Sequence, residues 1–268
     1  SSIGRDNVTV AVCLKWVTPV GSSDDRFAGV SAADQAALES ALVWAELHHS
    51  DVVVVTVGPI GAERALRDAL ACGATRAVRI DGDPNAASID VARAVAPHVA
   101  SAALVWCGDY SLDRGSGSFP AHLADALDVE QALGLIDIGV DDANGRIRAV
   151  RRLDGGRREI LSIAPRAVLS VEGSVARLRR APLRALLDAD RQAIDVHVVG
   201  LHGDVLELVP YRPRARVLAA PAGSSALDRV RVLTDAGAAP TRAETVELTP
   251  DEAADRILDA LRDWGYLT

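Results

Sequence analysis

The sequence predicts an α/β fold: a doubly wound parallel sheet with an antiparallel extension and an extended C-terminal arm. Three observations predict it. Short, nearly continuous apolar runs such as residues 52–57 (VVVVTV) read as parallel strands buried on both faces. Between them lie Ala/Leu stretches at helical spacing, and the resulting β-α-β-α-β-α-β-α order calls for helices on both faces of one sheet. From residue 131 the alternation gives way to strands separated by Gly-rich turns.

Taken in order, residues 8–17 (VTVAVCLKWV) read as the first strand, followed by a loop over residues 18–25. Ser31 is an N-cap, and Asp34 three residues on gives a capping-box pattern. The helix runs through Ala37, Leu38, Ala41, Leu42 and Ala45 to about His48. After strand 52–57, Gly58-Pro59 stops the sheet, and an Ala/Leu helix over residues 62–72 closes on Gly73. Residues 77–80 form a third strand. Asp83-Pro84-Asn85 opens a helix lasting to about Val99, and residues 103–107 form a fourth strand.

Residues 132–140, 147–153, 157–163 and 167–171 read as four further strands, joined by turns at 141–145 and 154–156, and together as an antiparallel addition. A helix-like stretch covers residues 176–189. Residues 200–245 alternate short strands with Pro-rich loops, the character of an arm laid on a partner. Thr249-Pro250-Asp251-Glu252 caps a last amphipathic helix ending at Trp264-Gly265. The expected division is an α/β domain with a β-hairpin addition over residues 1–200, and a C-terminal arm and helix over 201–268.

Composition narrows the function classes. A net charge of −8 argues against a general nucleic-acid binder, and the apolar runs are too short to span a membrane. The start carries no charged segment followed by an apolar one, so the expected location is cytoplasmic; Ser1-Ser2 without methionine reads as a trimmed start. Cys13, Cys72 and Cys107 lack CxxC spacing and read as small buried hydrophobes of a reducing compartment. His48-His49 at a helix end reads as a C-terminal cap. Hydrolase-elbow, zincin and Walker patterns are missing from the sequence. Lys15, the single lysine, reads as a polar residue at a strand end.

The stretch that organises a site is 104–126. A short apolar strand meets Gly108, then the polar turn Asp113-Arg114-Gly115-Ser116-Gly117-Ser118, then Pro120 where a helix can begin. Free N–H groups at a helix start, aided by the helix dipole, favour an anion. The turn therefore reads either as a phosphate-binding loop or as an ordinary βα surface turn. Because ligands of parallel sheets sit at the carboxyl ends of strands, the segments after Lys15, Val57 and Cys107 are expected to converge on one crevice.

Several motifs then resemble a known family. Val12-Cys13-Leu14-Lys15, the helix start from Ser31, Val57-Gly58-Pro59 and Ala69-Leu70-Ala71-Cys72-Gly73-Ala74 occur in the order found in the β subunit of electron-transfer flavoproteins. Residues 108–124 are similar to that family's Gly/Asp-rich loop, with Asp113, Ser116-Gly117 and Leu123-Ala124 matching. Arg152-Leu153-Asp154-Gly155-Gly156 resembles its hairpin, and Pro165-Arg166-Ala167-Val168 its last strand. The likeness covers roughly residues 8–200, and the C-terminal segment resembles a branch associated with mycofactocin systems.

The resemblance implies a Rossmann-like, adenine-nucleotide alpha hydrolase-like fold and a heterodimer with a larger α subunit that holds most of an FAD. It implies a buried AMP in this chain, no catalytic residues of its own, and electrons passing from a dehydrogenase to a quinone reductase or other acceptor. Two alternatives are a bifurcating, NADH-linked subunit carrying its own FAD, and a stand-alone nucleotide-binding regulator. The implied nucleotide site comprises Cys13, Ser31, Asp34, Val57, Gly58, Pro59, Gly108, Ser111, Leu112, Asp113, Arg114, Gly115, Ser116, Gly117, Ser118 and Phe119. In it, Cys13 and Val57 form an adenine slot and the loop takes the phosphate. Asp113 caps the loop or binds a ribose hydroxyl; Arg114 meets the phosphate or is solvated. Leu183, behind Arg179-Arg180, falls where the family carries its partner-recognition leucine; the alternative places it on the buried face of a short helix.

Overall fold

The computed structural model describes residues 9–18, 25–140, 146–201, 203, 221, 223–234 and 245–267. The chain divides into two compact units, Ser1–Glu207 and Leu208–Thr268.

The first unit is built on one nine-stranded sheet. Its strands are β1 (Thr9–Cys13), β2 (Asp51–Val57), β3 (Arg76–Asp81), β4 (Leu104–Gly108), β5 (Glu130–Val140), β6 (Ile147–Arg152), β7 (Arg158–Ile163), β8 (Ala167–Val171) and β9 (Asp195–Val198). They lie in the order β7-β6-β5-β8-β4-β1-β2-β3-β9. Helices α1 (Ala32–His48), α2 (Glu63–Cys72), α3 (Ser88–Val99), α4 (Phe119–Leu127) and α5 (Leu183–Ala189) complete it.

Alternation along each strand sorts side chains into two cores. Val10, Val12, Val52, Val54, Leu104 and Trp106 pack with α1 and α2. Ala11, Cys13, Val53, Val55, Val57, Val105 and Cys107 pack with α3 and α4 on the other face. The apolar strands expected from sequence are therefore buried on both sides, as a doubly wound sheet requires.

Several expectations are corrected. β1 ends at Cys13 although the apolar run continues: Leu14 N–H still reaches the Val55 carbonyl, but Lys15 N–H turns to Asp34, and Val17 makes only an isolated bridge to Gly29. α3 begins at Ser88, because the Asp83 carboxylate accepts the Asn85 N–H and holds residues 83–85 in a turn. The 132–171 region is not wholly antiparallel. β5 pairs antiparallel with β6 and β6 with β7, but β8 runs parallel to both neighbours, inserted between β4 and β5. A register irregularity lets β5 serve both partners: Gly134, at φ 67°, donates its N–H to Ser170 Oγ on β8.

Only residues 183–189 of the stretch 176–189 are helical. Pro182 caps that helix, and the chain before it is strapped to α1 by Arg179, which binds Glu39 and Glu46. The strand β9, Asp195-Val196-His197-Val198, is not among the expected strands; its polar/apolar alternation is only four residues long, and all four residues are exposed at the sheet edge.

Most of the 200–245 arm lies outside the described residues, as does the turn at 141–145. In the second unit, α6 (Ala226–Leu233) starts at Ser225, whose hydroxyl accepts the Asp228 N–H. α7 (Pro250–Asp263) carries the expected Thr249/Glu252 capping box. Among the described residues, no helix is long and apolar enough to cross a membrane.

Candidate functional site

The carboxyl ends of β1, β2 and β4 converge, as parallel topology predicts, on a partly open cavity. Cys13 and Cys107 stand in register on neighbouring strands at its floor, both buried, with Val55 and Val57 beside them. Val91 and Val95 of α3 form an apolar wall. Polar residues of the 108–118 turn form the opposite side. An apolar slot thereby faces a polar turn across a partly open cleft.

Ten of the expected residues line this cavity: Cys13, Asp34, Val57, Gly108, Ser111, Arg114, Ser116, Gly117, Ser118 and Phe119. Six do not. Ser31 lies behind it as the N-cap of α1, its hydroxyl accepting the Asp34 N–H at 2.9 Å. Gly58 gives its carbonyl to the buried Arg79, and Pro59 and Leu112 face solvent. Asp113 does not line the cavity: it pairs with Lys15 at 2.7 Å and its carboxylate also takes hydrogen bonds from Ser111 and the Arg114 backbone within the loop. Gly115 supplies a bend at φ 61°.

Asp34 is the electrostatic centre of the cavity floor. Its carboxylate accepts N–H groups from Lys15 and Ser31, each at 3.3 Å, and so joins the end of β1 to the start of α1. Burial pushes its pKa up to about 7, against the pull of those hydrogen bonds and one from Gly108. At Asp113 burial also raises the pKa, but bonds from Lys15, Ser111 and Arg114 outweigh it and hold the carboxyl at about 2. The Cys107 thiol is pushed well up by its hydrogen bond with Cys13 and by burial, so the floor presents neutral sulfur.

The turn is held by close backbone approach. Gly117 has φ 63°, and a Cβ on it would lie 2.6 Å from the Asp109 carbonyl oxygen. Ser116 and Ser118 hydroxyls touch at 3.2 Å. Ser118 is the N-cap of α4, yet no side chain caps that helix, which leaves its first N–H groups to a ligand. Arg114 is exposed at the cavity rim, and its guanidinium also bonds the carbonyls of Asn85 and Ala86, tying the turn to the entry of α3.

Lys15, expected at a strand end near the crevice though not among the site residues, does line the cavity; sequence reasoning missed Pro84, Ala86 and Tyr110. Asp83-Pro84 was the available signal, since it marks a turn at the carboxyl end of β3. Of the partner-binding set, Leu183 begins α5 with its side chain 73% exposed, and Arg180 is exposed. Arg179 is engaged by Glu39 and Glu46, which raise its pKa further. His49 is the left-handed C-cap of α1, and His48 stacks on Trp44. Among the described residues, no cluster of His, Cys, Asp or Glu is arranged to hold a metal ion.

The model of the electron transfer flavoprotein domain matches residues 24–199. The chain is 32% identical over 175 residues to Protein FixA of Rhizobium meliloti (strain 1021), covering 62% of this chain and 60% of that protein. It is 30% identical to the electron transfer flavoprotein subunit beta of Methylophilus methylotrophus, over 60% of this chain and 64% of that one. To the subunit of the same name in Mycobacterium tuberculosis (strain ATCC 25618 / H37Rv) it is 29% identical, over 64% and 68%. The chain thus spans about three fifths of the length of the first of these relatives.

Proposed function

The chain belongs to the electron transfer flavoprotein domain family, and from that premise we propose that it is the β-type subunit of a heterodimeric electron carrier with an adenine mononucleotide in its own cavity. The observation that carries this reading is the cavity itself, an apolar slot facing a Gly/Ser turn that ends at an uncapped helix start. The residues fit the ligand. Cys13, Val55 and Val57 offer a flat apolar face for a base, and backbone groups beside them read its edge. The phosphate belongs with the N–H groups of the turn and the hydroxyls of Ser116 and Ser118.

Nothing in this arrangement calls for bond-breaking chemistry by the chain. The Cys107 thiol, kept neutral by its hydrogen bond with Cys13 and by burial, and the paired Lys15–Asp113 bind and orient; they do not activate a nucleophile. A flavin held mostly by the larger α subunit supplies the electron storage when bound, with electrons arriving from a dehydrogenase and leaving to a quinone reductase or other acceptor. In this reading residues 1–200 are the nucleotide-holding domain, residues 201–268 pack on the α subunit, and Leu183 with Arg180 faces the electron donor.

The test is the nucleotide released when the purified protein is denatured, identified by chromatography and mass. AMP at about one per chain supports the reading. A yellow, chain-bound FAD supports the bifurcating alternative. A stable monomer that carries neither and has no affinity for a flavin-bearing partner overturns it in favour of a stand-alone regulator.

A further inference from the structure

The chain has a single lysine, and the fold sets it at the cavity. Lys15 follows the end of β1, and its backbone N–H is fixed on Asp34 at the start of α1. Its ammonium reaches Asp113 Oδ2 at 2.7 Å, across 98 residues of sequence. The pair is half-buried, with side chains 31% and 16% exposed, so solvent screens it less than an ion pair on the open surface. Asp113 is the residue from which the Gly/Ser turn departs. Beyond it, Arg114 is anchored on the Asn85 and Ala86 carbonyls, and Gly117 lies against the Asp109 carbonyl.

Among the described residues, the ionic tether of the turn to the end of β1 is Lys15. We propose that Lys15 is the positioning residue of the phosphate-facing turn: its ion pair with Asp113 holds residues 114–118 in the shape that offers their N–H groups to the ligand's phosphate. This rests on the nucleotide reading above. It makes a division that reading does not. The apolar slot of Cys13, Val55 and Val57 belongs to strands whose pairing needs no Lys15 side chain. Losing the ammonium must then weaken the hold on phosphate and spare the hold on the base.

The experiment titrates the full chain, freed of endogenous nucleotide, with AMP and separately with adenosine. Lys15→Gln is expected to lower AMP affinity by about fivefold and adenosine affinity by less than about twofold. Lys15→Arg restores AMP binding, and Asp113→Asn weakens it as Lys15→Gln does, with no further loss in the double variant. Limited trypsin digestion gives a second readout: cleavage after Arg114 is slow in the wild type and accelerates in Lys15→Gln and Asp113→Asn, with the circular dichroism melt of the sheet retained. Unchanged AMP affinity and digestion in Lys15→Gln overturns the assignment, as does an equal loss of AMP and adenosine. A wild-type chain that binds neither ligand overturns the nucleotide reading itself, and this inference with it.

Discussion

Gly108 stands so close to Asp34 that a Cβ on it would lie 2.7 Å from Asp34 Oδ1 and 2.8 Å from the Asp34 backbone nitrogen. The end of β4 and the first turn of α1 are thus in backbone contact, and the 108–118 turn starts from a fixed point. Gly108→Ala must push that helix start away, and overpacking of this kind costs about 1–3 kcal/mol. Urea unfolding of the variant is expected to show that loss; an unchanged midpoint would mean the helix start yields freely.

The glycines of the turn make a graded pair. Gly115 and Gly117 both have left-handed φ, 61° and 63°, but a Cβ at Gly115 meets nothing nearer than the Ser111 carbonyl at 3.9 Å. Gly115→Ala is expected to cost about 1 kcal/mol from backbone strain alone. Gly117→Ala adds a clash with the Asp109 carbonyl and should lose more stability and most AMP affinity. Equal effects from the two would remove the close approach as a cause.

Two carboxyls give opposite pH dependences. Asp34, raised to about 7, keeps a proton that the unfolded chain releases near its ordinary value of 3.8. Stability therefore falls as pH rises from about 4 to 7 and levels off above. Asp113, held at about 2, does the reverse: its contribution is present above about 4 and is lost as pH falls toward 2. Thermal melts across this range should show the first slope vanish in Asp34→Asn and the second in Asp113→Asn. A wild-type slope surviving in Asp34→Asn excludes that residue as its source.

The strap before α5 separates structure from recognition. Arg179→Ala breaks contacts to Glu39 and Glu46 and, with a side chain 30% exposed, should cost about 1 kcal/mol. Leu183→Ala, on a side chain 73% exposed, should change stability by less than about 0.5 kcal/mol. If Leu183 anchors a donor, the same variant slows electron uptake from that donor several-fold. Unchanged uptake in stopped-flow absorbance assigns Leu183 no part in docking.

The sheet and much of the cavity were legible in sequence because β-branched runs and helix caps are local signals. Strand 52–57 and the Ser31–Asp34 box read correctly from a few residues each. What local signals do not carry is pairing. The run at 8–17 stays apolar past Cys13, and only Asp34, far along the chain, decides that Lys15 leaves the sheet. The strand at 167–171 carries no mark of its direction, and its parallel place between β4 and β5 follows from tertiary packing. Lys15 and Asp113 were each visible; their contact was not, since 98 residues lie between them.

The insertion of β8 also sets an order of assembly. During synthesis β4 emerges with one flank against β1 and the other open, and its second neighbour is the strand Ala167–Val171. On the opposite side β3 waits for Asp195–Val198. Both flanks of the early sheet are closed by late segments, so a nascent chain halted before residue 167 exposes two bare strand edges, the state most prone to aggregate. Long-range parallel closure of this kind is slow. The cavity framed by β1, β2 and β4 thus sits in a sheet whose flanks are closed by strands that do not line it.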